Sequence, residues 1–387
     1  METQPPKSAA PHRHIPALDG LRGIAVLMVV FFHYGGGGHA ANPAIRFLAE
    51  FEKLGANGVT LFFLLSGFLI TGILWDSRHR AGRWRTFFIR RTLRIAPLYY
   101  LTLLALLASV LLGPHPDAAK HVLLFSVYGQ NLLSSGSYWV HLPGILKCYH
   151  LWSLAVEEQF YLLWPFLIWR MRKLRSAQQL CIAAFIVSLA CRLLYHYKGW
   201  GDYEFTLSRV GELAVGAWMA LALRAQSSVL RQWQRHAGKV ALASAVVIAI
   251  CGIHARSLTM GDGWMWIAGI PATSFLFGSV LLAILQPGRL ERFFSGGVLR
   301  YFGTISYGLY IFHVLFYEIA ENIAKRIAPH GSSNTINALK LVLVMAICVP
   351  LASASFRWFE QPFLRLKDRL TSNAAKPTPA RFIPSEG

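Results

Sequence analysis

The stretch LDGLRGIAVLMVVFFHY, residues 18–34, is apolar enough to enter a membrane, yet it carries Asp19 and Arg22 at one end and His33 at the other. Ionisable side chains inside a bilayer are costly and face a cavity or one another by default. Arg22 and His33 are eleven residues apart, which on a helix is three turns, one shared face and roughly 16 Å of depth. A guanidinium holds phosphate bidentately, and imidazole is the commonest general base. FFIRRTLRIAPLYYL (87–101) adds Arg90, Arg91 and Arg94 as close neighbours on helical spacing, which repel unless an anion joins them. HLWSLAVEEQFYLLWP (150–165) adds Glu157 and Glu158, with Ser153, Glu157 and Tyr161 on one face. Arg209 with Glu212, and His313 in SYGLYIFH, complete the set of ionisable candidates. The arginines suit a phosphate-bearing ligand, and the His and Glu residues suit acid–base chemistry.

These residues sit in a chain of 387 residues that is 55% hydrophobic and 14% charged. That apolar excess exceeds what one soluble core hides, so the expected fold is an all-α, polytopic membrane bundle. Ten spans of about 20 residues are expected at 18–34, 58–75, 87–112, 150–169, 178–197, 205–224, 237–255, 264–285, 301–320 and 337–359. The first is read as a span rather than a cleaved leader, because Asp19 and Arg22 interrupt it and nine more spans follow. A net charge of +20 would suggest nucleic acid in a soluble protein. Here the basic residues cluster in short links, which argues for membrane topology and anionic lipid or ligand, not nucleic acid. Arg78, Arg80, Arg83 and Arg85 lie in the link after the second span, and later basic links alternate with nearly balanced ones. The alternation holds if 121–133 does not span. That segment then belongs to a long outer loop, 113–149, and both termini are cytoplasmic. The chain divides into an N-terminal segment 1–17, a membrane domain 18–362 and a polar tail 363–387 expected to be disordered. The five cysteines form no metal-binding spacing, so neither zinc nor a disulfide framework is expected.

In this orientation Arg22, Arg90, Arg91, Arg94 and Arg357 ring the cytoplasmic side, and His33, Glu157, Glu158, Arg209, Glu212 and His313 gather in the outer half. The same segments resemble the acyltransferase-3 family of bacterial integral-membrane acyltransferases. The residues that carry the resemblance are LDGLRGIAVLMVVFFHY, GVTLFFLLSGFLITGIL, Arg91-x-x-Arg94, HLWSLAVEEQFYLLWP, SRVGELAVGAWMA, SYGLYIFH and FRWFEQP, in the family's order across residues 18–362. The resemblance implies about ten helices in a bacterial inner membrane. It also implies transfer of an acyl group, usually acetyl, from cytoplasmic acyl-CoA, a substrate rather than a resident cofactor. The implied acceptor is a carbohydrate hydroxyl on an envelope polysaccharide, lipopolysaccharide or glycosylated metabolite. It implies functional roles for His33, Arg22, Arg91 and Arg94, with Glu157 the favoured acidic partner, and a stand-alone member lacking a C-terminal hydrolase-like domain. Read this way, His33 is the general base oriented by Glu157, and Arg22, Arg91 and Arg94 bind the donor. Asp19, Arg90, Ser153, Glu158, Arg209, Glu212 and His313 are possible supporting residues. Glu158 remains open as the partner of His33, and direct transfer and a covalent intermediate both remain open. The rival reading from the residues alone is a transporter or flippase using the His, Glu and Arg groups as a proton relay; it lacks the paired halves such proteins often show.

Overall fold

The computed structural model describes residues 15–35, 51–113, 119–132, 146–199, 203–261 and 263–372. The segment before residue 15, most of the loop 35–57, parts of the outer loop 113–149 and the tail beyond Ser372 lie outside the described residues. Among the described residues the secondary structure is all helical. The helices are α1 (Pro16–Tyr34), α2 (Asn57–Ser77), α3 (Arg83–Leu111), α4 (Ala119–Ser126), α5 (Trp152–Arg170), α6 (Leu174–Lys198), α7 (Thr206–Arg224) and α8 (Ser228–Arg235). They continue as α9 (Ala237–Ala255), α10 (Ile270–Ile284), α11 (Arg289–Phe294), α12 (Gly297–Thr304), α13 (Ser306–Leu315), α14 (Tyr317–Ile327), α15 (Ser333–Ala354) and α16 (Gln361–Ser372). Seven helices among the described residues are long and apolar enough to cross a membrane, or eight if α7 and α8, bent by 108°, form one span. A polytopic membrane bundle is therefore the fold.

The two other expected spans differ for physical reasons. α5 is long enough, but Glu157, Glu158 and Gln159 in its first half lower its hydropathy. The expected span 301–320 is not one helix. It breaks at Ile305 and Phe316, which leave helical geometry (φ −91°, ψ 5° and φ −92°, ψ 12°), and becomes α12, α13 and α14. α14 carries Glu318, Glu321, Lys325 and Arg326 on one face and buries Ala320 and Ala324 on the other, so it is amphipathic and not the end of an apolar span. α4 has eight residues, about 12 Å of rise, too short to cross. α16 makes residues 363–372 helical where the sequence reading expects a disordered tail. Its side of α3 is fixed by Arg90, which donates to Thr371 Oγ1 at 2.9 Å and pairs with Asp368 at 3.5 Å.

α2 lies at the centre: 72% of its membrane window is buried, against 17% for α9 at the periphery. α1, α5, α7 and α10 pack on it. Without a hydrophobic drive between helices in lipid, close approach of small residues supplies the packing energy. A Cβ on Gly67 of α2 would lie 1.9 Å from Leu213 O of α7, and one on Gly216 of α7 would lie 2.0 Å from Leu64 O. α1 meets α11 and α12 the same way, through Gly20 against Phe294 and Gly303 against Asp19, at 1.8 and 1.9 Å. These crossings hold the Arg22–His33 face of α1 toward α2, α5 and α13.

Candidate active site

α1, α2, α3, α5 and α13 line a common cavity that opens to the outside of the bundle. Arg22, Arg91 and Arg94 line one end. Arg22 is 4.0 Å from Asp19, and Arg91 lies over the rings of Phe87 and Tyr161 at 5.9 and 5.4 Å. Three guanidiniums from two helices, within electrostatic reach of one another, form a binding end for a multiply charged anion. Glu360, buried at the end of a π-helical turn (Ser355–Glu360), accepts from Ser355 Oγ at 3.0 Å. It is within electrostatic reach of Arg94.

The next layer is a carboxylate held by two hydroxyls. Ser66 Oγ donates to Glu157 Oε1 at 2.5 Å, and Tyr161 OH donates to Glu157 Oε2 at 3.2 Å. Ser66 Oγ and Tyr161 OH are 2.9 Å apart. Glu157 and Tyr161 are one turn apart on α5, and Ser66 shares an α2 face with Val59 and Phe62, all lining the cavity. Above them, Tyr310 OH lies 2.5 Å from Ser153 Oγ and donates to His150 O at 2.8 Å.

Beyond Tyr310 stand three histidines. His313 is fully buried, and its Nδ1 contacts Tyr310 O at 2.7 Å. A carbonyl only accepts, so that nitrogen carries the proton and Nε2 carries the lone pair. His33 Nδ1 contacts Val29 O at 2.8 Å and His313 Nε2 at 3.3 Å. By the same rule it donates, which leaves the basic lone pair on His33 Nε2, with no hydrogen-bond partner among the described residues. His150 is buried, its Nε2 contacts Ile311 O at 3.2 Å, and its ring centroid is 5.1 Å from that of His313. His33 is half-buried, with the Tyr149 ring 5.7 Å away. The arginines and Tyr310 line the cavity, and the His33–His313 pair, suited to acid–base chemistry, lies one helical turn of α13 beyond Tyr310. Among the described residues no group of His, Cys, Asp and Glu could hold a metal ion.

The family model described as an acyltransferase domain, that of acyltransferase-3, matches residues 15–355. The chain belongs to the acyltransferase-3 family. It is 28% identical over 374 residues to the peptidoglycan O-acetyltransferase OatA of Listeria monocytogenes, covering 90% of this chain and 56% of that one. It is 28% identical to the putative peptidoglycan O-acetyltransferase YrhL of Bacillus subtilis, covering 91% and 55%. It is 26% identical to the O-acetyltransferase OatA of Staphylococcus aureus, covering 90% and 57%. The chain spans about half the length of the curated relatives it matches. No solved structure matches it.

On this acyltransferase-3 scaffold the expected residues divide. Arg22, Arg91, Arg94, Glu157 and Ser153 line the cavity, and His33 and His313 meet beyond it. The expected pairing of His33 with Glu157 is not the one found: Ser66 and Tyr161 hold Glu157, while Val29 and His313 hold His33. Glu157 and His33 occupy different layers because α5 presents Ser153, not Glu157, at the level of Tyr310. Glu158, one position round the helix, lies within electrostatic reach of Arg91 and Tyr128 outside the cavity lining. Arg90 turns to α16, and Arg357 is exposed. Arg209 and Glu212 pair at 3.2 Å with both side chains buried, but a third partner joins them: Arg192 donates to Glu212 Oε2 at 2.8 Å. Arg209 sits among Phe63, Trp152, Tyr203 and Trp266, a buried support behind the cavity wall rather than part of the cavity.

Ser66, Tyr310, His150 and Glu360 are the residues the sequence reading missed. Ser66 lacks a nucleophile-elbow motif, but Val59, Phe62 and Ser66 fall on one helical face of LFFLLSGF and its flank. His150 and Tyr310 each sit three residues from a singled-out polar residue, Ser153 and His313, and Glu360 is the acid of FRWFEQP.

Proposed function

We propose that the protein transfers an acyl group, foremost acetyl, from acyl-CoA to a hydroxyl of a carbohydrate acceptor across a bacterial inner membrane. The observation that carries this reading is the cavity that begins at Arg22, Arg91 and Arg94, passes Ser66 and Glu157, and ends one helical turn below the His33–His313 pair. The arginine end faces the cytoplasm, by the charge of its links, and the histidine end faces the opposite side. The CoA phosphates pair with Arg22, Arg91 and Arg94, and the thioester arm extends along the Ser66–Glu157–Tyr161 layer. His33 Nε2 takes the proton of the acceptor hydroxyl as that oxygen attacks the thioester carbonyl. His313 fixes the tautomer and orientation of His33, the part the sequence reading gives to Glu157. As the C–S bond breaks, the proton on His33 passes to the leaving thiolate, which departs as free CoA thiol and returns His33 to its neutral form; Glu157, held by two hydroxyls beside the arginines, borders the thioester arm. The names of the relatives support acetyl as the group and a glycan such as peptidoglycan as the acceptor.

The test is incubation of the protein in nanodiscs with acetyl-labelled acetyl-CoA and soluble peptidoglycan fragments, reading labelled ester and free thiol. Alkali-labile label on the glycan with equimolar thiol supports the reading. Labelled acetyl-CoA that neither binds nor is consumed removes the donor assignment.

A further inference from the structure

Three levels of α2 face the cavity. Ser66 stands beside Glu157, Phe62 is one turn higher and Val59 almost two turns higher, about 6 and 10 Å along the axis by helical rise. Phe62 and Tyr310 both line the cavity. The half-buried Phe62 ring meets the Tyr310 ring edge-on, with centroids 6.2 Å apart at 75°. The two rings are not equally mobile. Tyr310 is buried and pinned by Ser153 and by His150 O, whereas a phenylalanine has no polar atom to tie it and turns about χ1 and χ2 alone. The next turn of α13 after Tyr310 brings His313, which touches His33. A group carried from the arginine end toward His33 therefore meets the Phe62–Tyr310 ring pair, the lining residues nearest His313 along α13 being Tyr307 and Tyr310.

We infer that Phe62, closing against the fixed Tyr310 ring, is the specificity-determining side chain for the acyl group, admitting short chains and excluding long ones. The inference rests on the donor reading of the cavity. The side of the passage made by Tyr310 cannot retreat without breaking two hydrogen bonds, so the width depends on the residue at position 62. Phe62→Ala removes a ring and leaves a void that longer acyl chains fill, Phe62→Leu opens it partly, and Phe62→Trp narrows it.

The experiment uses the whole chain in nanodiscs with acetyl-, butyryl- and hexanoyl-CoA and soluble peptidoglycan fragments. It reads kcat/KM from thiol release and, independently, each thioester's competition with labelled acetyl-CoA. In the unaltered protein the hexanoyl-to-acetyl ratio is low. It rises at least tenfold in Phe62→Ala, less in Phe62→Leu, and falls in Phe62→Trp, whatever the absolute rates. Ratios that stay constant across all three variants overturn the inference while leaving donor binding intact. Absent binding of labelled acetyl-CoA to the unaltered protein overturns the donor reading and this inference together.

Discussion

At the scale of single residues, the proposed function separates two tasks whose residues share one helix face. α1 offers Arg22 to the anion-binding end and His33 to the acid–base end, but each works with different partners. His33 is set by two backbone-anchored contacts: Val29 O fixes its own Nδ1, and Tyr310 O fixes the tautomer of His313. Under the proposed role, His33→Ala abolishes acyl transfer while the protein keeps its monodisperse elution in detergent; residual turnover above a tenth of normal removes His33 as the base. Arg91→Ala takes away one charge-assisted phosphate contact, worth about 1.5–3 kcal/mol. A tenfold or greater rise in KM for acetyl-CoA with kcat held within a few fold is the expected result. A fall in kcat at unchanged KM would place Arg91 in the chemistry instead of in donor binding.

At the scale of elements, glycine crossings decide where the functional faces point. Gly67 and Gly216 let α2 and α7 approach so that each would place a Cβ within about 2 Å of the other's carbonyl oxygen. Gly67→Val forces the two helices apart, at a cost of about 1–3 kcal/mol for overpacking. That shift also displaces Ser66, the neighbouring residue, from Glu157. The expected readout is a lower unfolding midpoint in detergent together with lost activity. An unchanged midpoint would mean that the crossing yields without cost. The break at Ile305 serves a similar end: it frees α13 from the line of α12, so that Tyr310 and His313 address α1 and α5 while α14 buries Ala320 and Ala324 and leaves Lys325 and Arg326 exposed.

At the scale of the whole molecule, the basic links gather at the arginine end of the bundle, and Lys147, paired with Glu318 at 3.4 Å, lies at the histidine end. The proposed orientation makes the first end cytoplasmic. A single cysteine introduced at Arg80 or at Lys147, in a background with the five native cysteines replaced by Ala or Ser, is labelled by a membrane-impermeant maleimide. In right-side-out vesicles the reagent is expected to reach position 147 and not position 80; the reverse pattern inverts the orientation and places the donor end outside. Under the proposed function, an acyl donor from one compartment and an acceptor from the other meet inside the bundle near the Phe62–Tyr310 ring pair.

Composition and hydropathy alone determine that this chain is a helical membrane protein. The positions of seven expected spans follow too, or eight if α7 and α8 form one, because an apolar run of membrane length is a local property. The identity of Arg22, Arg91, Arg94, Glu157 and His33 as the polar residues worth following was equally legible, since intramembrane charge is costly wherever it falls. Their partners were not. Which carboxylate faces which imidazole depends on the rotation and depth of α5 relative to α1, and those are fixed by packing between helices distant in sequence. The pairing of His33 with His313, of Glu157 with Ser66, and of Glu212 with Arg192 as well as Arg209 joins residues that no helical spacing relates, apart from Arg209 itself. The broken helix at 301–320 was hidden for the same reason: its apolar run continues through Ile305, and only the packing of Gly303 on Asp19 and the charge of α14 make a bend there favourable.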